Sequence, residues 1–155
     1  MKKPRYFLWI AAVEITGFLS GFFSREGTAF YEANVRKPPL TPPGILFPVV
    51  WAILYALMGI GAARVAASDR GVSRSRGLNL FVIQLLFNFF WSLIFFNVRN
   101  YGFALLWLLA MWALIIAMTL QFRKVDRAAA LLQIPYLLWV TYAAYLNFGV
   151  WQLNR

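Results

Sequence analysis

The chain has 155 residues, 62% of them apolar, 19% aromatic and 13% charged, with 15 Lys and Arg against 5 Asp and Glu and a formal net charge of +10. Soluble domains average about 45–50% apolar and about 25% charged residues, so this composition exceeds what one soluble core of such a length can hide. Cys and His are both missing from the sequence, which excludes disulfides, thiolate or imidazole metal sites, and Cys- or His-based catalysis; no metal site is expected.

The intervals between charges measure the apolar segments. Stretch 6–23 is 18 residues with one interruption, Glu14, and stretches 38–63, 77–98, 100–122 and 128–154 run 26, 22, 23 and 27 residues without a charge. A bilayer-spanning helix needs about 20 mostly apolar residues. In lipid only helices and closed barrels pair every backbone group, and these runs are continuous rather than alternating. Helices are therefore predicted over about 6–23, 46–67, 78–98, 103–122 and 128–151. The expected fold class is an all-α integral membrane protein, a five-transmembrane-helix bundle forming a single domain over 1–155.

Lys2, Lys3 and Arg5 precede the first run as they would in a secretory signal, but the run is long for one. No small-x-small cleavage site follows before Ser24, so the segment is expected to stay as a span. Glu14 sits at its middle, where an ionised acid costs about 2.5–3.5 kcal/mol. With no second acid and no Lys or Arg at depth in another span, a hydrogen-bonded acid packed between helices is favoured over a proton or cation relay. Gly17 and Gly21 form a GxxxG, and Gly59 and Ala63 a small-xxx-small; either suits a dimer face or packing within the bundle.

Segment 24–45 carries Gly27, Pro38, Pro39, Pro42, Pro43 and Gly44, and is predicted to be a long extended lid without regular helix. The second helix starts near Pro48 and bears Trp51 and Tyr55, four apart. A polar loop is expected over 68–76. In the third helix, Gln84, Asn88, Trp91 and Phe95 share one face, which two amides and an indole make an inward face. A tight turn at 99–102 and a basic turn at 123–127 make neighbouring helices antiparallel. The last helix contains Pro135, expected to kink it, with Trp139, Ala143 and Leu146 on one face and Tyr136 and Tyr142 nearby.

Ten of the 15 Lys and Arg fall on the side of the N-terminus and 5 on the other. The positive-inside rule then puts the N-terminus in the cytoplasm and the lid outside. On this basis the +10 charge is a topology signal and an attraction to lipid headgroups, and no nucleic-acid partner is expected.

The ordered blocks resemble the translocator protein / tryptophan-rich sensory protein (TspO/MBR) family over nearly the whole chain. Phe30-Tyr31, Lys37-Pro38 and Pro42-Pro43 stand where family members carry Trp-Tyr, Lys-Pro and Pro-Pro before the second helix. The second helix is similar through Trp51, Tyr55 and Gly59, the third through Gln84-Leu85, Asn88, Trp91 and Phe95-Phe96. The last helix is similar through Pro135-Tyr136-Leu137, Trp139, Ala143, Leu146-Asn147 and Trp151.

The resemblance implies a homodimer in a lipid bilayer, here the bacterial cell membrane, with an aromatic pocket under the first loop. Porphyrins, above all protoporphyrin IX and also haem, are the implied ligand or substrate, with no obligatory cofactor. The implied receptor or sensor carries ligand-binding residues Phe30, Tyr31, Pro42 and Pro43 on the lid and Phe47, Trp51 and Tyr55 on the second helix. Phe87, Asn88 and Trp91 follow on the third helix, Phe103 on the fourth, and Trp139, Ala143 and Leu146 on the last. Light-dependent porphyrin degradation is a further implied activity, with Trp51 and Trp139 as the catalytic indoles. A transporter of porphyrin, sterol or other lipophilic ligands is the alternative.

Three departures shape these expectations. Ile45 replaces a family Trp, Phe30 replaces the Trp of the lid pair, and one residue is added before Lys37, which weakens lid stacking. The C-terminal sterol pattern lacks its Tyr and its cation, which argues against sterol. Without His or Cys a haem iron has no usual strong axial ligand, so the metal-free porphyrin is the better fit.

Overall fold

The computed structural model describes residues 2–155 and contains no strand among them. Helix α1 (Tyr6–Phe23) leads into α2 (Arg25–Asn34), and an extended segment carries the chain to α3 (Leu46–Ala66). After a short turn comes α4 (Gly71–Ser92), continued by a π-helical stretch, Leu93–Val98, and then α5 (Tyr101–Val125). The chain ends in α6 (Arg127–Leu131) and α7 (Ile134–Asn154). Five segments are long and apolar enough to cross a membrane, and the molecule is an all-α bundle of these spans. Within it α4 packs along α5, α1 along α3, and α5 along α7.

Local chemistry sets the boundaries. Arg99, in the left-handed region at φ 61°, ends the π-helical stretch. Asn100 then caps α5 by accepting the Phe103 N–H at 3.1 Å, and Asp126 caps α6 by accepting that of Ala128 at 3.0 Å. Three expectations are corrected. The first half of the lid is helical, because the 10 residues of α2 contain no proline and Glu26 sits in its first turn. The polar loop ends early: α4 begins at Gly71, and Arg74 Nε closes the corner by donating to Ala66 O at 2.8 Å. The last span is broken rather than kinked. Leu132 and Gln133 separate α6 from α7, and Pro135 falls in the first turn of α7, where its missing N–H costs nothing.

The main core runs through Met58, Phe81, Leu108, Met111, Ile115 and Phe122, all at 2% exposure or less. A second cluster packs Tyr31 and Val35 of the lid onto Phe95, Ala104 and Val150 of the bundle. Outward positions are apolar as well, with Phe7 82% and Leu106 67% exposed, a surface suited to lipid and not to water. Small residues bring α1 against α3: a Cβ on Gly59 would stand 2.7 Å from Ile10 Cα, and one on Gly17 2.1 Å from Tyr55 Cε2. Both small-residue motifs thus contribute a glycine to packing inside the bundle. At the opposite end from the lid, Arg64 Nε donates to Asp126 Oδ2 at 2.6 Å and ties α3 to the α5–α6 corner.

Candidate functional site: an aromatic cavity beneath the lid

A cavity of about 690 Å³ lies under α2 and the extended segment, walled by α1, α3, α4 with its π-helical extension, α5 and α7. That volume is in the range of small-molecule sites, about 300–1,000 Å³. Trp51 stacks on Tyr55 with ring centroids 5.3 Å apart and meets Tyr136 edge-on at 6.2 Å. Across the cavity, Trp139 meets Phe47 edge-on at 5.9 Å, and Trp91 stacks on Phe95 at 5.0 Å.

A row of hydrogen bonds fixes these rings. The Tyr55 hydroxyl donates to Asn88 Oδ1 at 2.8 Å, and Asn88 Nδ2 donates to the Tyr136 hydroxyl at 2.9 Å. That hydroxyl donates to Gln84 Oε1 at 2.7 Å, and Gln84 Nε2 donates to Phe81 O at 3.0 Å. All four side chains are buried, which is why each polar atom must find a partner inside the bundle. Above them Trp91 Nε1 donates to Asn147 Oδ1 at 3.1 Å, and Asn147 Nδ2 donates to Tyr101 O at 2.9 Å. The amides are therefore committed to the protein. The indole N–H groups of Trp51 and Trp139 have no hydrogen-bond partner among the described residues.

The lid is tied down at both ends. Tyr31 inserts between Phe95 and Phe96 at centroid distances of 5.6 and 5.3 Å, and burial pushes its phenol up to about 12. Lys37 Nζ donates to the carbonyls of Tyr31, Glu32 and Val35 and so neutralises the C-terminal end of α2. The proline segment straps onto α7. Tyr145 donates to Pro39 O at 2.8 Å, Tyr142 donates to Leu40 O, and Asn154 exchanges two hydrogen bonds with the Arg36 backbone. Gly149 makes room for the strap, since a Cβ there would lie 2.5 Å from Pro38 Cβ.

Of the residues expected to bind ligand, Tyr31, Phe47, Trp51, Tyr55, Asn88 and Trp91 line the cavity, as do Trp139, Ala143 and Leu146. Five lie elsewhere. Phe30 faces outward beneath the Arg99 guanidinium, 3.6 Å from its ring centroid. Pro42 and Pro43 flank the wall, where Gly44 takes their place. Phe87, one position before Asn88 and so about 100° round the helix, stacks on Trp107 at 4.3 Å. Phe103 is 48% exposed on the outer face.

Sequence reasoning left out Asn147, which orients Trp91. The signal was present: Tyr136, Val140, Ala143 and Asn147 repeat the four-three-four spacing of Gln84, Asn88, Trp91 and Phe95. The expectation for Glu14 is also corrected. It lines the cavity, and no hydrogen bond or ion pair joins it to another described residue, so it does not bond helices together.

Comparison with known proteins agrees with this architecture. The TspO/MBR family model matches residues 9–152. The tryptophan-rich protein TspO of Chlorobaculum tepidum is 37% identical over 139 residues, covering 89% of this chain and 88% of that protein. Protein CrtK of Rhodobacter capsulatus is 37% identical over 155 residues, covering 99% and 95%. The translocator protein of Bos taurus is 35% identical over 156 residues, covering 95% and 92%. A match to the family model over nearly the whole length, joined to the five-span bundle, establishes that the chain belongs to the TspO/MBR family.

Proposed function

We infer that this chain is a membrane receptor that takes a metal-free porphyrin such as protoporphyrin IX into the cavity beneath the lid. The observation that carries this reading is the cavity wall: Trp51, Trp91 and Trp139 surround about 690 Å³, and two of the three indole N–H groups are uncommitted. Flat aromatic ligands gain from offset and edge-on ring contacts, each worth about 0.5–1.5 kcal/mol beyond area burial. The lack of His and Cys in the sequence favours the free base over an iron complex. Ion-coupled carriers pair charges within the membrane, whereas Glu14 has no ion pair among the described residues; a receptor is therefore preferred to an ion-coupled carrier. In a bacterial cell membrane with the N-terminus cytoplasmic, the lid faces the outside.

Light-dependent degradation is a second reading, favoured by two oxidisable indoles, Trp51 and Trp139, facing the same space. One titration tests both. Protoporphyrin IX added to the detergent-solubilised protein in the dark should quench indole fluorescence saturably, and Trp51→Phe with Trp139→Phe should weaken binding about tenfold. Unchanged affinity in the double variant contradicts the site. Under illumination the bound porphyrin should bleach faster than in detergent alone; equal rates contradict degradation.

A further inference from the structure

The proposed function leaves Glu14 without a role, although it lies midway along α1 and lines the cavity. No side chain of the cavity donates a hydrogen bond to it. The two hydroxyls of the lining on α1 and α3 are committed elsewhere: Ser20 donates to Phe89 O at 2.8 Å, and Tyr55 to Asn88. Arg25, which also lines the cavity, stands about three turns away toward the lid. It is engaged there: Nη1 donates to Phe22 O at 2.7 Å, and the guanidinium covers the Phe22 ring at 4.1 Å.

A carboxyl at membrane depth is expensive without a partner, and such groups usually mark where a ligand or ion is met. The second acid of the lining, Glu32, stands at the lid, so the cavity carries two acids against one cation inside a chain of net charge +10. Aromatic rings, among them Trp51 and Tyr55, make up part of the remaining wall, and such rings attract cations.

We propose that the cavity binds lipophilic amines, with Glu14 as the group that receives their N–H and the Trp51 and Tyr55 rings flanking the organic part. Carboxylate with ammonium and carboxylic acid with free amine hold the same proton, so either form of the pair is neutral overall at membrane depth. The proposal rests on the cavity being a ligand site, and not on porphyrin being the ligand. Porphyrin propionates carry the sign that Glu14 repels, so the two ligand classes respond to this residue differently.

The test compares 9-aminoacridine, a planar amine protonated in neutral solution, with acridine, its uncharged counterpart, titrated into the full chain in non-ionic detergent and followed by fluorescence. The amine should bind about tenfold or more tighter than acridine, and Glu14→Gln should bring the ratio to about one. The melting temperature of Glu14→Gln, followed by circular dichroism, should stay at or above that of wild type, which verifies that the bundle remains folded. An equal preference for the amine in wild type and variant, or no preference in wild type, overturns the proposal. If the preference is missing while protoporphyrin IX binds, the amine proposal alone falls. If Glu14-dependent amine binding stands while protoporphyrin IX fails to bind, the porphyrin reading alone falls.

Discussion

Asn88→Ala is expected to lower the stability of the solubilised protein by about 1–4 kcal/mol, since it removes two interhelical hydrogen bonds worth about 0.6–2 kcal/mol each. The side chain is the centre of the polar row and joins α4 to Tyr55 of α3 and Tyr136 of α7. Without it the Tyr55 hydroxyl loses its acceptor in a buried position. The Tyr55 ring, on which Trp51 stacks at 5.3 Å, then loses its anchor. Ligand affinity should fall together with the melting temperature. Trp112→Phe provides the contrast: it removes an indole donor to Thr141 at 2.9 Å on the exposed outer face, and both readouts should change little. Thermal unfolding followed by circular dichroism checks the pair, and a melting temperature for Asn88→Ala equal to that of wild type contradicts the account.

The second large effect separates two glycines four residues apart on α1. A Cβ at Gly17 would lie 2.1, 2.5 and 2.8 Å from three atoms of the Tyr55 ring, whereas one at Gly21 meets nothing within 4 Å. The Tyr55 ring cannot step aside without breaking its bond to Asn88 and its stack with Trp51. Gly17→Ala must therefore push α1 off α3 or displace the ring, at a cost of about 1–3 kcal/mol typical of overpacking. Gly21→Ala has room for its methyl group and gains about 1 kcal/mol of helix propensity. The expected result is a destabilised Gly17→Ala with weakened porphyrin quenching, beside a Gly21→Ala at least as stable as wild type. Equal behaviour of the two variants contradicts the packing described for α1.

The spans are legible in the sequence because charge is costly in lipid: the gaps between Lys, Arg, Asp and Glu locate all five, with the starts of the second and third displaced by the lid prolines and by the charged first turns of α4. The inward face of α4 is legible for a related reason, since Gln84 and Asn88 need partners that lipid does not offer. Helix α2 is hidden because the prolines of the lid begin only at Pro38, and their effect does not reach back over 25–34. The strap of Tyr142, Tyr145 and Asn154 on the lid joins residues more than 100 positions apart, and no local pattern announces it. Phe87 and Phe103 show the limit of choosing by residue type: their helical phase, and not their rings, decides that they face Trp107 and the outer surface. Composition and depth favour Glu14 as a hydrogen-bonded acid between helices, but it faces the cavity, where the Ser20 and Tyr55 hydroxyls are committed to Phe89 O and to Asn88.

The central claim, that the cavity under the lid is where a porphyrin binds, is tested most directly by fluorine NMR of fluorotryptophan-labelled protein. Each of the 7 indoles supplies one resonance, assigned by single Trp→Phe substitutions. The ring current of a bound macrocycle acts at short range. Titration with protoporphyrin IX should shift the resonances of Trp51, Trp91 and Trp139 saturably and leave those of Trp112 and Trp151 in place. Shifts confined to Trp112 and Trp151, with the three cavity indoles unmoved, would contradict the account.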